Sequence, residues 1–171
     1  MHSENLWDTD KARKGRLPIY QYFYRKAQST PPRKLGCLRL IYKTMLKITR
    51  FAYHVELSAE TSIGAGLYIG HPYGITINPA AVIGRNCNIH KGVTVGQENR
   101  GRRKGTPVIG DCVWIGINST IVGNITIGDD VLIAPNTYVN CDIPSHSIVF
   151  GNPCIVKRRD NATEGYINNK V

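Results

Sequence analysis

Residues 109–139, IGDCVWIGINSTIVGNITIGDDVLIAPNTYV, decide the fold. Ile109, Ile115, Ile121, Ile127, Ile133 and Val139 recur every six positions, and glycine directly follows three of them, at Gly110, Gly116 and Gly128. A period of six fits neither a helix of about 3.6 residues per turn nor hairpin-linked strands, but it fits a parallel β-helix in which each repeat is one short strand and one corner. Within such a strand, positions i−2 and i face the same side. The i−2 set here is Pro107, Val113, Ser119, Ile125, Val131 and Thr137, nearly all small or β-branched, so it is expected to stack inward beside the larger residue at i. The glycines are expected to serve corners that need unusual backbone angles.

Working outward, Ile63 and Ile69 lie six apart, Ile77 follows eight on, and Ile83, Ile89 and Val95 return to strict sixes; the next rung, Ile109, is fourteen on. That makes twelve rungs, or about four three-sided coils. The two breaks are where function is sought, because a solenoid is a generic scaffold. The first adds two residues around Gly70-His71-Pro72-Tyr73-Gly74, and the second is the excursion QENRGRRKGTP at 97–107. Both are expected to protrude. Beyond Val139 the rhythm is lost at Pro144, and residues 160–171 read as a frayed tail.

Ahead of the ladder, residues 1–15 are polar and read as loosely ordered, whereas Leu17–Ala27 and Leu35–Ala52 read as helices separated by the proline pair of STPPRK. The second helix has a stripe of Leu38, Ile41, Tyr42, Met45, Ile48 and Phe51 with basic residues elsewhere. Capping the open end of the solenoid is its preferred role, and contact with an anionic membrane through residues 35–52 is a compatible second one. Up to Tyr53 there are 12 Lys/Arg against 3 Asp/Glu, a balance of +9 out of the chain's +10, so from His54 onward the chain is nearly neutral. Nucleic acid is therefore not an expected partner of the solenoid. The start has no apolar run followed by a small-residue cleavage site and no segment long enough to span a bilayer, which points to the cytoplasm, peripheral to the inner face of the membrane if the helix binds there. Five dispersed cysteines, with no CxxC pair, suggest neither zinc nor disulfides.

Of the five histidines, only His71 sits in a protruding break; His2 is in the tail, His54 precedes the ladder, His90 follows a rung and His146 is in a proline-bounded turn. An imidazole is the usual general base near neutral pH.

ETSIGAGLYIGHPYGITINPAAVIGRNCNIHKGVTVG, followed by TPVIGDCVWIGINSTIVGNITIGDDVLIAPNTYVNCDIPSHSIVFGNPCIVKR, resembles the left-handed β-helix acyltransferases of the serine acetyltransferase branch, and most closely the exopolysaccharide O-acetyltransferases related to it. The resemblance implies a mainly β chain: a left-handed parallel β-helix of about four coils at 54–159, a basic helical segment at 1–53 and a tail at 160–171. It further implies a homotrimer with acetyl-CoA bound between subunits and no metal. It puts the general base on His71, the carboxylate that orients it on Glu56, and an oxyanion-stabilising backbone N–H on Gly96. The CoA arm falls along Ile117, Asn118, Pro135 and Asn136, and its phosphates near Lys157, Arg158 and Lys104.

Two departures bear on the acceptor. Serine acetyltransferases carry an Arg-His pair where this chain has Gly105-Thr106, and aspartate where it has Gly70. With Tyr73 available to stack on a pyranose ring, these changes favour O-acetylation of a sugar in a capsule or exopolysaccharide precursor. Serine O-acetylation is the alternative within the class. A zinc carbonic anhydrase on the same scaffold is a third reading, disfavoured because the ladder offers no closely spaced third histidine.

Overall fold

The computed structural model describes residues 5–31 and 36–171. Three helices, α1 (Leu6–Lys14), α2 (Ile19–Ser29) and α3 (Gly36–Tyr53), precede fifteen short strands. The strands are β1 (Val55–Glu56), β2 (Ser62–Ile63), β3 (Tyr68–Gly70), β4 (Ile75–Ile77), β5 (Val82–Ile83), β6 (Asn88–His90), β7 (Thr94–Gly96) and β8 (Val108–Ile109). They continue as β9 (Trp114–Ile115), β10 (Thr120–Val122), β11 (Thr126–Ile127), β12 (Val131–Ile133), β13 (Tyr138–Val139), β14 (Ser147–Phe150) and β15 (Ile155–Arg158).

Every third strand pairs in parallel, giving a three-faced prism. The first face is β1-β4-β7-β10-β13, the second β2-β5-β8-β11, and the third β3-β6-β9-β12-β14, to which β15 adds an antiparallel edge. Five strands deep on its first face, the prism has the architecture of the left-handed β-helices it superposes on. It therefore has five turns rather than four. The three uncounted rungs are Leu57, Ile143 and Val149: Leu57 and Val149 are fully buried, and Ile143 bridges in parallel to Ile127. Ile143 comes only four positions after Val139, which hides the continuation from a strict count of six.

The inward set behaves as its spacing dictates. Val113, Ser119, Ile125, Val131 and Thr137 are all buried, as is Cys87, whose thiol burial pushes up to about 12. The rung glycines differ from expectation in their physical reason. None of Gly110, Gly116 and Gly128 has a positive φ. A Cβ on Gly116 would instead lie 2.6 Å from the backbone nitrogen of Pro135 on the coil above, so glycine is required by close approach of successive coils. The left-handed residue comes three positions after the rung, at Asn86, Cys112, Asp130 and His146 on one edge and at Gly92, Asn118 and Asn136 on another.

Residues 5–15 are not loose. Asp10, fully buried on α1, pairs with Arg25 of α2 at 2.7 Å, and accepts from Gln21 at 2.9 Å and from the Leu67 backbone N–H at 2.9 Å. The first coil has no coil beneath it, and its carbonyls are met by side chains from these helices. Arg25 donates to Ile63 and Gly64 at 2.7 Å each, Tyr24 to Thr61 at 2.9 Å, and Arg13 to Gly66. Leaving such groups unpaired would cost about 1–3 kcal/mol each. The cap is thus built by α1 and α2, not by the helix expected to provide it. On α3 only Leu46 is buried, while Ile41, Ile48 and Phe51 of the predicted stripe are 56%, 59% and 79% exposed. The first residue of the expected second helix, Leu35, and the second half of the STPPRK break lie outside the described residues.

The C-terminal segment is pinned rather than frayed. The Asn86 side chain exchanges two hydrogen bonds with Val171, Asn88 donates to the Tyr166 carbonyl at 3.1 Å, and Asp130 accepts from the backbone of Ala162 and from the Thr163 hydroxyl at 2.6 Å.

Candidate active site

Of the sequence-predicted site residues, His71, Tyr73, Ile117, Asn118, Pro135 and Asn136 lie along the edge that joins the third face to the first. Backbone hydrogen bonds of 2.9, 3.0 and 2.9 Å, from Gly92 to Tyr73, Asn118 to Lys91 and Asn136 to Ile117, stack its corners. One line therefore runs from the His71 break through Ile117 and Asn118 to Pro135 and Asn136. Asn118 and Asn136 are exposed and left-handed, with φ of 58° each.

His71 follows β3, is exposed, and also has positive φ, 52°. It occupies no regular corner position: the left-handed residue in register with Gly92 is Gly74, and His71 belongs to the two-residue insertion ahead of it. A left-handed residue other than glycine costs of order 1 kcal/mol or more, a strain that elsewhere on this prism serves the repeat and here does not.

Glu56 is on β1, in register with Thr76 of β4, and exposed. It lines a cavity of about 750 Å³ between α3 and the first face, together with Lys47, Arg50, Phe51, His54 and Thr76. No hydrogen bond joins Glu56 to His71. Tyr73, 61% exposed, meets the His54 ring edge-on at 5.0 Å. His54, set aside in the sequence because it precedes the ladder, is thus part of the same wall; helix-to-coil junctions leave no periodic signature.

His90 was also missed. Its ring lies between Tyr68 and Trp114, 4.7 Å from the latter, with its Nε2 buried and unpartnered. Burial, and then the neighbouring His71 and Lys14, push its pKa below the ordinary value, so it stays neutral near pH 7. A Cβ on Gly70 would fall 2.7 Å from the His90 Nδ1.

The remaining predicted residues are more dispersed. Gly96 ends β7, paired with Val122 on the first face. Lys104 is exposed on the excursion. Lys157 and Arg158 stand on β15 of the third face, Lys157 over the Phe150 ring at 5.6 Å and Arg158 donating to the Ser145 carbonyl, so the structure does not bring these two to the Asn118–Asn136 edge. Among the described residues no group of three or more His, Cys, Asp or Glu side chains gathers where a metal ion could be held.

This geometry can be set beside known proteins. Residues 106–141 match the model of the bacterial transferase hexapeptide (six repeats). Over that segment the chain is similar to the bacterial hexapeptide transferases. Its relatives are serine acetyltransferases. That of Staphylococcus xylosus is 35% identical over 126 residues, covering 74% of this chain and 58% of the relative. The chain thus spans somewhat over half the length of that curated relative. The soybean serine acetyltransferase apoenzyme superposes with a TM-score of 0.72 at 27% identity, over 91% of this chain and 70% of that one. Its complex with serine superposes equally well, TM-score 0.72 at 26% identity, with the same two coverages. Since residues from His54 onward make up less than 91% of the chain, these superpositions take in N-terminal helices as well.

The expected sugar acceptor and its place in polysaccharide synthesis are overturned by these relatives, which are serine acetyltransferases. The two departures that argued against serine have local causes instead. Gly70 leaves room for the His90 ring, and Gly105, at φ 136°, closes the excursion against Asn124, whose Cβ would lie 3.0 Å from an added Cβ.

Proposed function

We propose that this chain catalyses acetyl transfer from acetyl-CoA to the hydroxyl of serine, as part of a homotrimer, with residues 54–159 carrying the chemistry, 1–53 capping the prism and 160–171 bracing it. The observation that carries the reading is the cavity beside the His71 break. An amino-acid acceptor needs a cation for its carboxylate, an anion for its ammonium and a base for its hydroxyl. Lys47, Arg50 and Glu56 line one cavity together with Gly74, the last residue of that break, and His71 lies in the break beside it.

In this reading His71 accepts the hydroxyl proton as the serine oxygen bonds to the acetyl carbon. The carbon–sulfur bond breaks, and His71 returns the proton to the departing sulfur, so the transfer is direct and the enzyme is never acylated. Glu56 is assigned to hold the imidazole in the tautomer that accepts and to stabilise its charged form, through a hydrogen bond made in the substrate complex. The Gly96 N–H is the assigned donor to the developing oxyanion. The corner backbone at Ile117, Asn118, Pro135 and Asn136 holds the pantetheine arm. A peripheral role for α3 at an anionic membrane rests on one observation, the exposed Ile41, Ile48 and Phe51 beside Lys47 and Arg50, and sedimentation with anionic vesicles tests it. No helix among the described residues is long and apolar enough to cross a membrane.

Thiol release from acetyl-CoA, followed with and without L-serine, tests the main reading. Serine-dependent release with O-acetylserine as product is expected; release that is indifferent to serine overturns it.

A further inference from the structure

The excursion at 97–107 is more than a protruding loop. Glu98 and Gly105 bridge its two strands, Gly101–Arg103 forms a single 3₁₀ turn, and the Asn124 N–H donates to the Arg103 carbonyl at 2.9 Å, so the loop is folded back onto the first face. Between loop and face lies a pocket of about 350 Å³ lined by Arg100, Arg102, Arg103, Tyr138 and Asn140. The acid beside them, Glu98, turns its carboxylate to its own loop, accepting from the backbone N–H groups of Asn99 at 2.8 Å and Arg100 at 3.2 Å. Among the described residues the guanidinium groups of Arg100, Arg102 and Arg103 form no hydrogen bond or ion pair. Three like charges held on a pinned loop around one pocket repel one another, and the groups that relieve this are multiply charged oxyanions, whose oxygens the planar guanidinium grips in bidentate fashion.

The position of the pocket narrows the class of ligand. It opens on the face that carries Glu56, but at the other end: β1 and β13 are separated by four strand spacings, about 19 Å at roughly 4.8 Å each. A co-substrate with a reactive thioester at one end and phosphates at the other, joined by a long flexible arm, needs that kind of separation. We infer that Arg100, Arg102 and Arg103 form a phosphate subsite that receives the nucleotide end of CoA, its 3′-phosphate above all. This rests on the proposed use of acetyl-CoA, and it moves the phosphate contacts from Lys157 and Arg158 to the excursion, with Lys104 beside them.

Calorimetric titration of the full chain with CoA and with dephospho-CoA, which lacks the 3′-phosphate, reads the subsite without requiring turnover. The unmodified chain should prefer CoA by about tenfold or more, the value of one or two charge-assisted hydrogen bonds. In the combined Arg100→Ala, Arg102→Ala, Arg103→Ala variant that preference should fall to about twofold or less, and the corresponding lysine variant should restore part of it. Adenosine 3′,5′-bisphosphate should compete with CoA, and inorganic phosphate at the same concentration should not; equal competition would mark a general anion site and overturn the assignment to the nucleotide. An unchanged preference in the alanine variant, or no binding of CoA at all, also overturns it. Because thermal melting checks that the variant is folded, and serine-dependent turnover is scored separately, a chain that acetylates serine with an arginine-independent preference refutes the subsite alone. A chain that binds CoA through these arginines yet ignores serine refutes only the acceptor.

Discussion

His71 and His146 stand on two different edges of one prism and share a backbone conformation, with φ of 52° and 58°. Both are exposed. His146 occupies the regular corner position above Asp130, bonds its carboxylate at 2.9 Å, and belongs to an edge that the C-terminal segment covers. Burial alone would raise the Asp130 pKa, but hydrogen bonds from Thr163, His146 and the Ala162 backbone outweigh it and hold the carboxyl below its ordinary range. His71 lies outside the register, bonds to none of the described residues, and belongs to an edge that none of them covers. The difference teaches that a left-handed histidine is not itself a sign of chemistry on this fold. A strained residue that the repeat does not require, on an open edge beside a cavity, is the stronger sign.

The largest expected effect is on the open edge. Replacing Glu56 by alanine should lower kcat/KM for serine by about 10- to 100-fold in the unmodified chain and have little further effect once His71 is alanine, because groups that act as a unit are not additive. Independent losses in the double variant would break the pairing. Next, Arg50→Ala should raise the KM for serine by about tenfold or more with a smaller change in kcat, the mark of lost carboxylate recognition; a pure kcat effect would place Arg50 elsewhere.

On the covered edge the expected losses are in stability. Asp130→Ala removes the acceptor of several hydrogen bonds from the C-terminal segment and should cost about 1–3 kcal/mol, read as a lowered denaturation midpoint with serine turnover retained below it. The smallest effect concerns α3. Hydrogen bonds from Lys43, at 2.6 Å, and from Ser58 hold the Glu60 carboxyl down to about 2. A carboxyl depressed in the folded state stabilises above its unfolded pKa, so this contribution should be present above about pH 4.5 and fade as pH falls toward 2. It should be slight, because the pair is solvent-screened. Glu60→Gln should flatten that part of the stability profile.

The ladder was legible because a six-residue period has no competing explanation, and His71 because it broke that period. What escaped notice did so for identifiable reasons. Leu57 continues the sixes below Ile63, but it follows directly on the helix-to-coil junction. Asp10 and Arg13 look like surface charges and are instead buried partners of the cap. The C-terminal segment is held by hydrogen bonds with Asn86, Asn88 and Asp130, partners that hydrophobic patterning does not register. The acceptor was misread because Gly70 and Gly105 were taken as missing recognition groups, whereas a Cβ at either would press on His90 or Asn124.

The central claim is tested most directly by serine acetylation rates of His71→Ala and His146→Ala, measured side by side below both denaturation midpoints. The account predicts a fall of about 100- to 10,000-fold for His71→Ala, the usual contribution of a general base, and a change within about twofold for His146→Ala. Equal losses in the two variants, or an active His71→Ala, would contradict it.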